Sequence, residues 1–223
     1  MDETVCCRLN ESIKSRKSIS STGSFYSKLS TIDSLYEKIS YFAASAAKKL
    51  RDKNVTVIHE TARQSPFPIN LDTVYQTTLF VVASQLQKEL QAEAQGFEIA
   101  ISDRTLSDAF IYINHLKRGN NLTKALDDFC FEWVKQYKVL VYLEPTKGFN
   151  PTSDGVRAVD VKYQNAIKED FRNFVKRLED KHQNSLSIIK AESNQIFDES
   201  LCLDLITKIN ERVYEQSRDL DLV

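Results

Sequence analysis

The sequence predicts a single α/β domain in which parallel strands alternate with amphipathic helices, and three observations predict it. Four short apolar runs, at residues 55–59, 97–102, 138–143 and 185–190, have the length and β-branched content of strands buried on both faces. Between successive runs lie stretches of ten or more residues whose apolar positions recur at three- and four-residue steps, the period of a helix. Strands alternating with helices call for parallel pairing through right-handed crossovers, giving a three-layer domain with a mostly parallel sheet. A length of 223 residues, 42% hydrophobic and 27% charged, is enough to bury an ordinary core.

Taken in chain order, residues 1–17 are polar and serine-rich and read as a flexible leader, with the domain at 18–216 and a short tail at 217–223. The leader carries Arg8, Lys14, Arg16 and Lys17, but Asp2, Glu3 and Glu11 argue against organelle targeting, and it lacks the apolar core of a secretory signal. From 29 to 51, Leu29, Ile32, Leu35, Tyr36, Ile39, Phe42, Ala46 and Leu50 fall on one face of a helix. After the first predicted strand, Pro66 and Pro68 interrupt structure, because proline fixes φ and lacks a donor. A helix capped near Asp72 or Thr73 runs to about Ala94, with Leu79, Val82, Leu86 and Leu90 on one side, and Gly96 stops it.

The strand at 97–102 leads through Asp103 and Arg104 into a helix ending near Leu116. A loop at 117–121 and a helix at 122–136 containing Trp133 follow, then the almost wholly apolar strand at 138–143, which Pro145 ends. A loop holding Gly148, Pro151 and Gly155 precedes a helix at 162–181, the last predicted strand and a closing helix at 201–216.

Composition excludes several classes of function. Thirty Lys and Arg against 31 Asp and Glu give a net charge of −1, so there is no global attraction for nucleic acid or an anionic membrane. No run of apolar residues is long enough to span a bilayer. Cys6, Cys7, Cys130 and Cys202 include no C-x-x-C pair, and His59, His115 and His182 show no metal spacing, which suits reduced thiols in a cytoplasmic protein. Five glycines, about a third of the usual frequency of roughly 7%, leave little material for a glycine-rich phosphate loop.

In open parallel sheets, ligands sit at the carboxyl ends of strands. The first predicted strand ends in Glu60-Thr-Ala-Arg63 and the second in Asp103-Arg104-Thr105, with Asp108 one turn on. Two acids and two arginines at adjacent strand ends could hold a metal-bound polyphosphate, carboxylate oxygen suiting Mg²⁺ and guanidinium matching phosphate. The same residues also fit a plain Glu60–Arg63 ion pair and a helix cap at Asp103, and spacing leaves both readings open.

Beyond spacing, Glu60-Thr-Ala-Arg63, Pro66-Phe-Pro-Ile-Asn70, Thr73, Gln85, Ser102-Asp103-Arg104-Thr105 with Asp108 and Tyr112, Trp133 with Tyr137, and Asp154-Gly-Val-Arg157 together resemble a P-loop NTPase family. It is the ATPase/kinase (AAA-type) domain group related to nicotinamide riboside kinase, near the thymidylate and deoxynucleoside kinases, and the resemblance covers residues 54–178. It implies a three-layer P-loop kinase-like fold, ATP and Mg²⁺ as cofactors, and a small nucleoside- or nucleotide-like acceptor. By the same resemblance Glu60 with Arg63 would serve the acceptor, Asp103 with Arg104 the Mg²⁺ and phosphates, and Arg157 would stabilise the transferred group from a lid at 146–160. Phosphoryl transfer asks for little beyond such positioning and charge neutralisation.

The family opens with a buried strand and a G-x-x-x-x-G-K-[ST] loop, and no such string occurs in this chain. One register makes residues 18–22 the central strand and places Lys28 and Ser30 as the phosphate-binding lysine and metal-binding hydroxyl of a degenerate Walker A loop. The other makes Lys38 the lysine, in a stretch with no glycine and with Glu37 beside it. The expected function is therefore that of an ATP-binding, kinase-like phosphotransferase; the alternative is a catalytically inactive relative that keeps the fold as a binding or scaffold module.

Overall fold

The computed structural model describes residues 3–9, 45, 48, 54–69, 74–115, 121–145, 160–182, 186–196, 198, 200, 201, 203–209 and 211. Five strands, β1 (Glu3–Leu9), β2 (Val55–Ile58), β3 (Ile99–Asp103), β4 (Val139–Glu144) and β5 (Ser187–Glu192), form one sheet in the order β2-β3-β1-β4-β5. Helices α1 (Tyr75–Ala94), α2 (Leu106–His115), α3 (Asn121–Trp133) and α4 (Val161–His182) connect them. The chain is thus α/β, as its alternating pattern predicts.

The sheet is more mixed than expected. Strand β2 pairs parallel with β3, and β4 with β5, but β1 lies between β3 and β4 and runs against both. Four strands therefore point one way and the middle one points back. Two corrections to the sequence reading follow. Glu3–Leu9, read as part of a flexible leader, is a strand, and it takes the central place assigned to residues 18–22. The physical reason is local: Thr4, Val5, Cys6, Cys7 and Leu9 favour extended backbone, whereas Ser18-Ile-Ser-Ser-Thr22 is a polar filling for a buried strand. Residues 18–22 lie outside the described residues, as do Lys28, Ser30, Lys38, the 146–159 stretch with Arg157, and most of the helix expected at 29–51, of which Ser45 and Lys48 are helical.

Burial on both faces holds for β3 and β4 but not for β2 and β5, which are half-buried or partly exposed at the sheet's edges. All five residues of β3 and the first five of β4 are buried, so both faces of the sheet centre are covered. On one face, Leu140 and Tyr142 of β4 pack in a cluster with Ile111, Phe131 and the α4 residues Tyr163, Ile167, Phe171, Phe174 and Leu178. Those α4 positions recur at three- and four-residue steps, which makes that helix legible from its sequence. A second cluster joins Val82 of α1, Leu106 and Phe110 of α2 and Cys130 of α3. Residues 203–209 are helical and bury Leu205, Ile206 and Ile209, within the predicted closing helix.

Helix α1 departs from its predicted orientation. Leu79 and Leu90 are exposed, and the buried positions are Thr77, Thr78, Val82, Gln85, Glu89 and Ala92. Its end is as predicted: Gly96 has φ 77°, Gly96 N–H donates to Glu93 O at 3.0 Å and Phe97 N–H to Ala92 O at 3.2 Å. That pair of bonds is a Schellman closure, which glycine reaches without steric penalty. Phe97 packs against the small core of Ile58, Ala92 and Ala100, fixing α1 against β2 and β3.

Candidate functional site

Because β2 and β3 are parallel and adjacent, their carboxyl ends bring residues 59–63 beside residues 103–108. Ile58 pairs with Ser102, so Glu60 and Arg104 leave the sheet at matching positions. The residues predicted for this edge do meet. Glu60 Oε2 lies 3.3 Å from Arg63 Nε, Glu60 Oε1 lies 3.6 Å from Arg104 Nε, and Arg104 Nη1 lies 3.7 Å from Asp108 Oδ1. The Glu60–Arg63 ion pair is thus present, and it is part of a wider network with Arg104 and Asp108.

Asp103 is the last residue of β3 and is 1% exposed. It does not cap α2. The cap is Thr105, whose backbone N–H and Oγ1 donate to Asp108 Oδ2 at 2.6 and 2.7 Å, while Asp108 N–H returns to Thr105 O at 3.2 Å. This is half of a capping box, with the third helical residue supplying the carboxylate. Between strand and cap stands Arg104 with φ 88°, a left-handed conformation that costs a side-chain-bearing residue about 1–3 kcal/mol. The strain turns the chain sharply and leaves the guanidinium beside Glu60.

Beneath the edge lies a polar core that helical periodicity does not disclose. Glu89, buried at the centre of α1, accepts from Trp133 Nε1 at 2.8 Å, Tyr137 Oη at 2.9 Å and Gln85 Nε2 at 3.0 Å. Gln85 also donates to Ser102 Oγ at 2.6 Å. Lys88, on the same helix, donates to the carbonyl of His59 at 3.2 Å, and desolvation lowers its ammonium below the usual lysine value. Gln85, Trp133 and Tyr137 belong to the resemblance set, but no role attaches to them by sequence; Glu89 and Lys88 are additions from the structure.

Among the described residues no group of three or more His, Cys, Asp or Glu is placed to hold a metal ion. Asp103 offers one buried carboxylate, and Glu60 and Asp108 already face arginines. One carboxylate suits Mg²⁺ only when phosphate oxygens and water complete its shell. The arginine contacts, at 3.3 to 3.7 Å, are longer than the roughly 2.7–2.9 Å of a tight charge-assisted bond. No helix among the described residues is long and apolar enough to cross a membrane. Comparison with protein-family models, with curated proteins and with solved structures finds no match, so the meaning of the site rests on its own geometry.

Proposed function

We propose that the chain is a P-loop kinase-like protein that binds ATP with Mg²⁺ at the carboxyl edge of β2 and β3 and transfers the terminal phosphoryl group to a small nucleoside- or nucleotide-like acceptor. The observation that supports this reading is the Arg63–Glu60–Arg104–Asp108 network at two adjacent parallel strand ends. In it, Arg63 and Arg104 would exchange carboxylate for phosphate oxygens, and Glu60, released from them, would face the acceptor. Asp103, to which the resemblance gives the metal, would contribute one carboxylate oxygen to Mg²⁺, which when bound would neutralise phosphate charge. Arg157, Lys28 and Ser30 keep the roles that the resemblance gives them.

One observation favours a second reading, an inactive relative retained as a binding or scaffold module. Strand β1 holds the central place but ends, at Leu9, opposite Ile99, the first residue of β3. The chain that follows therefore leaves from the edge away from Glu60 and Arg104, whereas a phosphate loop has to leave the central strand at the ligand's edge.

Calorimetric titration with ATP, with and without Mg²⁺, followed by a turnover assay, separates the readings. Mg²⁺-dependent binding, weakened about tenfold or more in Arg104→Ala, is expected of the kinase and of an inactive relative that still holds a nucleotide, since a charge-assisted contact contributes more than about 1.4 kcal/mol. Turnover that disappears in Asp103→Asn supports the kinase; binding without turnover supports an inactive relative; no binding at millimolar ATP overturns the kinase and leaves a scaffold that holds no nucleotide.

A further inference from the structure

Arg104 owes its position to a directed chain of hydrogen bonds. Ser102 Oγ donates to the Arg104 carbonyl at 2.8 Å and accepts from Gln85 Nε2 at 2.6 Å. The other Nε2 proton of Gln85 goes to Glu89 Oε1 at 3.0 Å, and Gln85 Oε1 accepts from Thr61 Oγ1 at 3.4 Å. Direction is forced. A hydroxyl that gives its proton to a carbonyl can only accept from its other neighbour, and a carboxylate that receives three donors can only accept. Both Gln85 protons are therefore committed, and its carbonyl is turned towards Thr61. Thr61 follows Glu60, and Ser102 stands two residues before Arg104. A single amide, 1% exposed, thus ties together the chain beside both members of the Glu60–Arg104 contact.

We propose that Gln85 is a positioning residue that sets the separation of the β2 and β3 ends, and with it the spacing of Glu60 and Arg104, while touching no ligand itself. Glu89 fixes the orientation of the amide, and Trp133 and Tyr137 hold Glu89 in turn, so the registry of the two strand ends is anchored in α3 and the turn that follows it. The inference deepens the reading of this edge as a phosphate site, but its structural part stands without a ligand.

Backbone hydrogen exchange tests that part. After β2, the amides of Gln64 and Ser65 are bonded to Thr61 O and Ala62 O; after β3, those of Thr105 and Asp108 are bonded to each other's residue. In Gln85→Leu, exchange at both sets should rise together by about tenfold, the scale of one net hydrogen bond, while the Ser187 amide bonded to Lys138 O in the other half of the sheet is unchanged. Ser102→Ala, a smaller change that keeps the protein folded if Gln85→Leu does not, should raise exchange at Thr105 and Asp108, and Ser102→Thr should restore it. With Mg-ATP as probe, Kd should rise about tenfold in Ser102→Ala and return in Ser102→Thr. Unchanged exchange at either strand end, or an equal rise at Ser187, overturns the role of Gln85. A parent protein that binds no Mg-ATP, yet shows the paired exchange response, overturns the nucleotide reading and leaves the positioning role supported.

Discussion

Trp133 donates its indole N–H to Glu89 across 2.8 Å, joining the end of α3 to the buried face of α1. It is the only tryptophan in the chain, so its fluorescence reports on the polar core directly. Glu89→Ala would leave the donors of Trp133, Tyr137 and Gln85 facing an apolar gap, at about 1–3 kcal/mol for each that finds no new partner. The expected outcome is a fall in the urea midpoint equivalent to about 3 kcal/mol with little change in the denaturant slope. Glu89→Gln should lose less, because its carbonyl still accepts. An alanine variant within about 1 kcal/mol of the parent would show that the network contributes no more than an exposed polar contact.

At position 104 two truncations separate strain from charge. Arg104→Ala and Arg104→Gly both remove the guanidinium, but only glycine occupies φ 88° freely. Glycine should therefore be the more stable of the two by about 1 kcal/mol in urea titration, with both variants equally weakened towards Mg-ATP. Equal stability of the two would mean that the left-handed turn carries no strain.

Much of this fold was legible because β4 and the first four residues of β3 are nearly continuous apolar runs. Val139 to Leu143 leave little choice but a doubly covered strand, and Ile167, Phe171, Phe174 and Leu178 mark the inner face of α4. The inner face of α1 was not legible. Leu79 and Leu90 compete there with Thr78, Gln85 and Glu89, and the polar set wins because Ser102, Trp133 and Tyr137 satisfy it, a pairing made only in three dimensions. Strand β1 escaped for a related reason. Its alternation of small, polar and apolar residues lacks the continuous apolar run of β4. At the site, Glu60, Arg63, Asp103 and Arg104 could be placed because strand ends in parallel sheets have a known geometry. Apart from the Gln85–Glu89 bond within α1, the buried tie beneath them links residues 17 to 48 positions apart, and local spacing carries no trace of those contacts.

Acid should act through His182. Desolvation at the end of α4, with Lys135 and Lys181 nearby and Glu132 opposing, holds its imidazole below the ordinary value of 6.5. The folded state then binds fewer protons than the unfolded state between the lowered value and 6.5. Stability is therefore full above that window and declines as pH falls through it. Urea midpoints at pH 7.5 and 5.5 should differ less in His182→Gln than in the parent; an identical pH dependence in both would remove His182 as the cause.

The central place of β1 also has a direct test. Val5 sits opposite Asp103 on one side and Val141 on the other. A proline there removes a ladder donor and forces φ within a strand flanked on both sides, costing about 3 kcal/mol or more. Val5→Pro should lose cooperative thermal unfolding by circular dichroism. A variant that melts as the parent does would place the strand outside the sheet.

The same strand decides how the molecule is put together in time. β3 and β4 do not bond to each other, so β2-β3 and β4-β5 are two parallel halves with β1 as their seam. Each half closes through its own crossover helix, but the seam joins residues roughly 100 and 140 positions apart along the chain. On the ribosome β1 emerges ahead of both of its neighbours: it can pair with β3 once that strand has been made, but its other edge has to wait for β4. A segment synthesised early thus completes its pairing late, and until β4 joins it the seam presents an open edge to other chains.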